Sequence, residues 1–167
     1  MMTRRARPPL TLLAGLLLLG AAACGDEQGT LYGSQCDLIS CEVDRTDCLG
    51  YFGGAATPSN IQVTYWRGSD KNGWEYTAKL VFIDLDQLDP PPELPGHRFE
   101  EQELLDHVQF TRPPPGENWP AFEGTYCEIQ KGGNAPNSSF GGKCGFIFDN
   151  GRTLTAKWSC TMEEEPQ

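Results

Sequence analysis

Basic residues are scarce in this sequence of 167 residues, which has 13 Lys and Arg against 23 Asp and Glu and a formal net charge of −10. Three of the basic residues, Arg4, Arg5 and Arg7, lie at the amino terminus. Residues 24–167 therefore hold 10 basic and 23 acidic residues, a net charge of −13. This sign argues against nucleic acid as a partner and against electrostatic adsorption to anionic lipid.

Long apolar runs are also missing, because the longest stretch extends only from Leu10 to Ala23 and is interrupted at Thr11. These 14 residues fall short of the roughly 20 that a helix needs to cross a bilayer. The stretch follows a positively charged start and ends in small residues, which is the order of a secretory signal peptide. We therefore expect residues 1–23 to direct export and then to be removed.

The end of the signal, Leu19-Gly20-Ala21-Ala22-Ala23-Cys24, resembles the lipobox of bacterial lipoproteins. In that family the cysteine becomes the acylated first residue of the mature protein. The resemblance covers the signal alone and implies a lipid on Cys24 that anchors the chain in the cell envelope, facing away from the cytoplasm, with the outer membrane favoured over the inner. Because Ala21 stands where the family prefers leucine, the alternative is an ordinary A-x-A cleavage site followed by a free Cys24 thiol.

The cysteine count bears on this choice, because an exported chain with 7 cysteines would keep one unpaired. A lipid on Cys24 leaves an even set that predicts about three disulfides in an oxidising compartment. The members of the set are Cys36, Cys41, Cys48, Cys127, Cys144 and Cys160. The first three cannot all pair with one another, so at least one must reach the last three. The spacing leaves about 15 connectivities open.

Leucine is sparse after the signal, whereas glycine, proline and β-forming residues are plentiful. We predict a flexible tether over 24–35 and one mainly β domain over 36–167. An antiparallel β-sandwich is favoured, with a closed barrel as the alternative and with long proline-rich loops. The predicted elements are a hairpin of strands from Asn60 and over 74–85, a helix over 100–106, and strands over 107–111, 125–130, 143–148 and 152–161.

Alternation assigns residues of the predicted strands to faces. In the hairpin, Trp74 and Tyr76 are predicted to share the face of Ala78, Leu80 and Phe82. For the last turn, a three-residue loop with Gly151 in the left-handed conformation pairs Phe146 with Leu154 and puts the apolar residues of both strands on one side.

Catalytic and metal-binding motifs are missing as well, since the chain has no C-x2-C pair, no G-x-S-x-G elbow and no phosphate-binding loop. We therefore predict no enzymatic activity, no catalytic residue and no cofactor. Asp84, Asp86 and Asp89 are weak calcium candidates. They do not form an EF-hand, which needs a glycine where Asp89 stands and a glutamate where Pro95 stands. A solvated acidic strand end is the favoured explanation for them.

Aromatic residues carry the remaining functional prediction. Candidates for a surface platform are Trp66, Trp74 and Trp119 with Tyr51 and Tyr65, although burial in the core is the commoner fate of aromatic residues in strands. The predicted role is a non-enzymatic envelope module that binds a protein or a glycan. The alternative is a secreted hydrolase with His97 or His107 as the general base.

Overall fold

The computed structural model describes residues 28–38, 40–53, 57–88, 93–112 and 122–165, with side chains omitted for 122–124. The chain is mainly β, with one short α-helix. No helix in the described ranges is long and apolar enough to cross a membrane. The elements are β1 (Gln28–Tyr32), β2 (Arg45–Tyr51), β3 (Asn60–Ser69), β4 (Gly73–Phe82), β5 (Arg98–Phe99), α1 (Glu101–His107), β6 (Val108–Thr111), β7 (Phe122–Lys131), β8 (Ser139–Phe148) and β9 (Thr153–Glu164).

These strands form one curled open sheet in the order β5-β7-β8-β9-β2-β3-β4-β6, with β1 alongside β9. Strand β9 joins two halves, because residues 153–161 pair with β8 whereas residues 162–164 pair in parallel with β2. We call β1, β5, β7, β8 and most of β9 the β8 half, and β2, β3, β4 and β6 the β3 half. Helix α1 connects the two edge strands, β5 and β6.

The curl brings the inner sides of the two halves together around an aromatic core. The Phe82 ring of β4 lies 5.5 Å from the Phe99 ring and 5.7 Å from the Trp158 ring, measured between centroids. The Phe110 ring of β6 lies 5.2 Å from the Phe146 ring of β8. Because these pairs join the β3 half to the β8 half, burial of aromatic surface holds the two halves against each other.

Three disulfides reinforce this arrangement: Cys36–Cys41, Cys48–Cys160 and Cys127–Cys144. The predicted number is confirmed, and so is the prediction that one of the first three cysteines reaches the carboxyl-terminal set. The Cys48–Cys160 bridge joins β2 to β9. The Cys127–Cys144 bridge joins directly opposite residues of β7 and β8.

Several predicted elements are confirmed. Strands β3 and β4 form the hairpin, and α1 followed by β6 occupies the predicted helix and strand. At the last turn Gly151 has φ 74°, the Phe148 N–H donates to the Arg152 carbonyl at 2.9 Å, and Phe146 pairs with Leu154. The alternation of the flanking strands was therefore sufficient to fix the length of this loop.

The predicted face of the first half of β4 is wrong. Tyr65 pairs with Ala78, whereas Trp66 pairs with Tyr76, so Thr77 is an extra residue at a β-bulge. An extra residue shifts the alternation by one position and turns the preceding side chains to the other face. Trp74 and Tyr76 therefore lie on the solvent side, opposite the core-facing Ala78 and the residues that follow it.

The predicted tether is wrong over residues 28–35. Strand β1 pairs with β9 from Gln28 opposite Ser159 to Tyr32 opposite Thr155, and Leu31 is buried in the core. The turn that follows is anchored as well, since the Asn150 amide donates to Gln35 Oε1 at 3.2 Å. Pairing satisfies backbone groups that β9 would otherwise leave exposed at this edge. In the sequence, only residues 25–27 separate Cys24 from β1.

Candidate functional site

Two surfaces on opposite halves of the sheet combine residues that folding alone does not require. The first, which we call the tryptophan surface, consists of Arg45, Trp66, Trp74 and Tyr76 on the solvent side of β2, β3 and β4. The strand register places Arg45 opposite Trp66 and Trp66 opposite Tyr76. The bulge at Thr77 completes the set by turning Tyr76 and Trp74 outward.

Within the tryptophan surface, cationic and aromatic groups stack on one another. The Arg45 guanidinium lies 4.9 Å from the ring centre of Trp74 and 5.8 Å from that of Trp66. The Trp66 and Tyr76 rings meet edge to face at 6.3 Å. Attraction between a cation and the negative face of a ring contributes about 0.5 to 1 kcal/mol at an exposed site. These contacts hold the rings in fixed positions at the protein surface.

A charged rim surrounds the rings. Asp47 binds the Arg45 guanidinium at 2.6 Å, and the Trp74 indole N–H donates to Asp70 at 2.9 Å. The Lys79 ammonium lies 5.1 Å from the centre of the Tyr76 ring. Cations therefore cover ring faces that a sugar would use for stacking. This chemistry suits a polypeptide surface better than a glycan.

The sequence predicted this platform only in part. Trp66 lies on it, but the prediction for Tyr65 is wrong, because Tyr65 points from the opposite side of β3 into the core and is completely buried. Burial without a charged partner raises the pKa of the Tyr65 hydroxyl well above its ordinary value. Trp119 lies outside the described residues. Arg45 and Tyr76 were missed, since the bulge that brings Tyr76 to Trp66 has no marker in the alternation.

The second surface, which we call the lysine face, lies on the solvent side of the β8 half and is defined by Arg98, Lys131, Lys143 and Lys157. Directly opposite residues form one row across five strands: Arg98, Glu128, Lys143, Lys157 and Thr30. The four basic residues are a large part of the 10 present after residue 23. This face is thus basic although the chain as a whole is acidic.

The contacts of the lysine face leave part of its charge uncompensated. Lys143 pairs with Glu128 at 3.4 Å, and Arg98 pairs with Glu100. The Lys157 ammonium lies 5.3 Å from the Tyr32 ring centre. Among the described side chains, neither Lys157 nor Lys131 has a carboxylate within salt-bridge distance.

A shallow cleft of about 100 Å³ adjoins the lysine face, lined by Gln130, Lys131, Gly141, Gly142, Trp158 and Ser159. Gly141 opens this cleft because it has no side chain on the solvent side. Gly142 points the other way, where a Cβ would collide with the Glu128 carbonyl oxygen and with the Trp158 ring. Ser159 is the partner of Gln28 in the sheet, so the cleft lies beside the start of β1.

The two histidines differ in their partners. His97 Nε2 lies 2.8 Å from Glu103 Oε1, and its ring packs edge-on against Phe99 at 4.4 Å. His107 Nδ1 lies 2.9 Å from the Ile83 carbonyl oxygen, so the Nδ1–H group donates a hydrogen bond to the backbone. Only His97 therefore has the acidic partner that commonly orients a catalytic base. In the described part of the chain, neither ring has a hydroxyl or thiol within hydrogen-bond distance.

The calcium candidates do not form a cluster in the described ranges. Asp84 begins a short 3-10 turn with φ 53° and accepts a hydrogen bond from the Gln87 amide at 3.2 Å. Asp86 lies in the same turn and is exposed, whereas Asp89 lies outside the described residues. No group of three or more His, Cys, Asp or Glu residues suited to a metal occurs where side chains are described.

Comparison with known proteins returned no family model, no curated protein and no solved structure that matches this chain. Cys24 and the predicted signal lie outside the described residues.

Proposed function

We propose that this chain is an exported lipoprotein that a lipid on Cys24 anchors in a membrane of the cell envelope. The outer membrane is favoured over the inner. The disulfides carry this proposal. Six cysteines form three bridges within the domain, and disulfides persist in oxidising compartments outside the cytoplasm. Cys24 is the seventh cysteine, and it directly follows the small residues of the signal.

The anchor is tested by the intact mass of the protein purified from its native membrane. We expect a chain that begins at Cys24, is heavier by acyl groups, and exposes six alkylatable cysteines only after reduction. Without reduction, no cysteine should react, because the sulfur of Cys24 carries lipid. A chain without acyl groups and with one free thiol would contradict the anchor and leave a secreted protein whose Cys24 is available for intermolecular pairing.

We further propose that the domain is a non-enzymatic module that binds a protein partner through the tryptophan surface. Trp, Tyr and Arg are the residues that most often dominate binding energy at protein interfaces. Here they share one solvent-facing layer, and Arg45 and Asp47 hold the rings in place before a partner arrives. A preformed surface loses little conformational entropy on binding, which favours its use as a recognition site.

Photo-crosslinking in the native envelope tests the tryptophan surface. With a photoreactive residue at position 79, at the rim, we expect one defined protein adduct, and with the same residue at position 161, on the β8 half, we expect none. Arg45→Ala should reduce the adduct by about tenfold or more, since loss of a central interface arginine commonly costs about 2 kcal/mol or more.

Lys71→Ala is the matched control, because it also removes one positive charge but lies in the β3–β4 turn. It should leave the adduct unchanged. Equal labelling from positions 79 and 161, or an adduct insensitive to Arg45→Ala, would contradict protein binding at this surface. A polysaccharide adduct at position 79 would instead support a glycan ligand.

A secreted hydrolase with His97 as the base is the second candidate. The 2.8 Å contact between His97 and Glu103 favours it, because a carboxylate can hold an imidazole in the orientation that a catalytic base needs. The candidate is weaker than the binding module because no nucleophile accompanies His97 among the described side chains, so a water molecule would have to attack.

For the fold, we propose a β-sandwich in preference to a half-barrel. The aromatic pairs between β4 and the strands of the β8 half support two layers in face-to-face contact. The pairing of β9 also supports the sandwich, because β9 pairs with β8 along most of its length and with β2 only at its end.

A further inference from the structure

The lysine face carries a charge pattern that sheet stability does not explain. Lys143 and Lys157 are directly opposite each other on β8 and β9. Like charges in such a pair are about 5 Å apart at the Cβ atoms and destabilise the sheet. Glu128 compensates Lys143 alone. An external anion would relieve the repulsion, so the face has the chemistry of an anion-binding surface.

The position of Cys24 identifies which anions are nearest. Cys24 precedes Gln28 by four residues, a chain length that spans at most about 14 Å. Gln28 is the first residue of β1 and lies on the solvent side of the β8 half. From the spacing of residues and strands in a sheet, Lys157 lies about 8 Å and Lys143 about 12 Å from Gln28, between Cα atoms. An anchor at Cys24 therefore keeps both lysines near the bilayer surface.

Apolar groups on the same side fit a lipid interface. Tyr32 and Ile147 are 47% and 39% exposed, and the register places both on the solvent side with Lys143 and Lys157. A tyrosine presents an apolar ring and a polar tip, and a lysine presents an apolar stem and a charged tip. Both kinds of side chain are suited to the boundary between headgroups and acyl chains.

We propose that the lysine face docks on anionic phospholipid headgroups of the membrane that holds the Cys24 lipid. The proposal rests on the lipoprotein anchor proposed above. A basic patch beside a lipid anchor is a common second contribution to membrane binding. The net charge of −13 argued against such adsorption, but a net charge does not show that four of the ten basic residues after residue 23 share this one face.

Docking in this way also orients the tryptophan surface. The inner sides of the two halves face each other across the core, so their solvent sides face away from each other. With the β8 half on the membrane, the tryptophan surface is presented away from it, toward partners in the envelope.

Lysine footprinting of the anchored protein tests the docking. The acylated protein, verified by intact mass, is reconstituted in vesicles of pure phosphatidylcholine or of phosphatidylcholine with phosphatidylglycerol, and treated with an amine-reactive reagent that does not cross membranes. We expect Lys143 and Lys157 to react about fivefold more slowly on the anionic vesicles. This factor corresponds to the attraction of about one lysine to an anionic membrane surface. Lys71 should react equally on both. High salt should remove the difference.

A charge-matched pair of variants separates docking from mere proximity. In Lys143→Gln/Lys157→Gln, Lys131 should lose its own protection on anionic vesicles, whereas Lys71→Gln/Lys79→Gln should keep it. Equal reactivity of Lys143 and Lys157 on both kinds of vesicle, or equal protection on both, would overturn the proposal while leaving the anchor intact. Absence of acyl groups in the intact mass would instead overturn the anchor, and the docking with it.

Discussion

Replacing Cys48 and Cys160 together by serine is expected to lower the free energy of unfolding by about 4 to 5 kcal/mol. This disulfide closes the longest loop in the protein's described part, with a sequence separation of 112. Without it, the unfolded chain gains the entropy of that loop, and the gain increases with loop length. Both sulfur atoms also lie in the core, where Cys48 and Cys160 are almost completely buried.

The Cys36–Cys41 bridge supplies the matched control. Replacing it removes the same kind of chemical bond, but the loop that it closes has a sequence separation of only 5. Its replacement by two serines should cost about 2 kcal/mol. Urea unfolding of both double variants, followed by tryptophan fluorescence, measures the two losses. Equal losses would show that loop entropy does not govern the stabilisation, and that local packing around each bridge does.

The cysteines show how far sequence reasoning reaches in this chain. The even number of cysteines that follow Cys24 predicted three bridges. Because the first three of them cannot all pair with one another, at least one bridge had to be long-range. The partner of Cys48 could not be chosen, because β2 was not predicted. The residues of β2 are polar or small apart from Leu49 and Tyr51. The strand therefore lacks the alternation of apolar and polar residues that marks β3.

Strand β1 was missed for a related reason. Of its five residues only Leu31 is buried, and the flanking glycines and polar residues match the composition of a linker. Its partner, the edge of β9, is more than a hundred residues away in the sequence. Pairing with a distant strand leaves no local signal, whereas the β8–β9 turn has one in Gly151 and in the alternation on both sides.

The candidate surfaces were predictable only where they follow from local alternation. Trp66 was found because it lies in a clear strand pattern. The lysine face depends on three strand registers that align Arg98, Glu128, Lys143 and Lys157. Registers follow from the packing of the whole sheet and are not marked in the local sequence. The net charge of the chain therefore gave no sign that these basic residues share one face.

Phe82→Ala is expected to lower the free energy of unfolding by about 3 to 5 kcal/mol, the usual cost of removing a buried phenylalanine ring. Phe82 is fully buried at the end of β4, and its ring contacts the rings of Phe99, Phe140 and Trp158. All three partners belong to the β8 half. Truncation therefore removes apolar burial and leaves a cavity at the place where the two halves meet.

Ile147→Ala is the control for this change, since Ile147 is also an apolar strand residue but is 39% exposed on the outer side of β8. It should cost less than about 1 kcal/mol. Urea unfolding at neutral pH compares the two variants. If Phe82→Ala costs no more than Ile147→Ala, the aromatic contacts between β4 and the β8 half do not hold the two halves together. The disulfide between β2 and β9 would then be the main tie between the halves, and its removal should separate them even with Phe82 present.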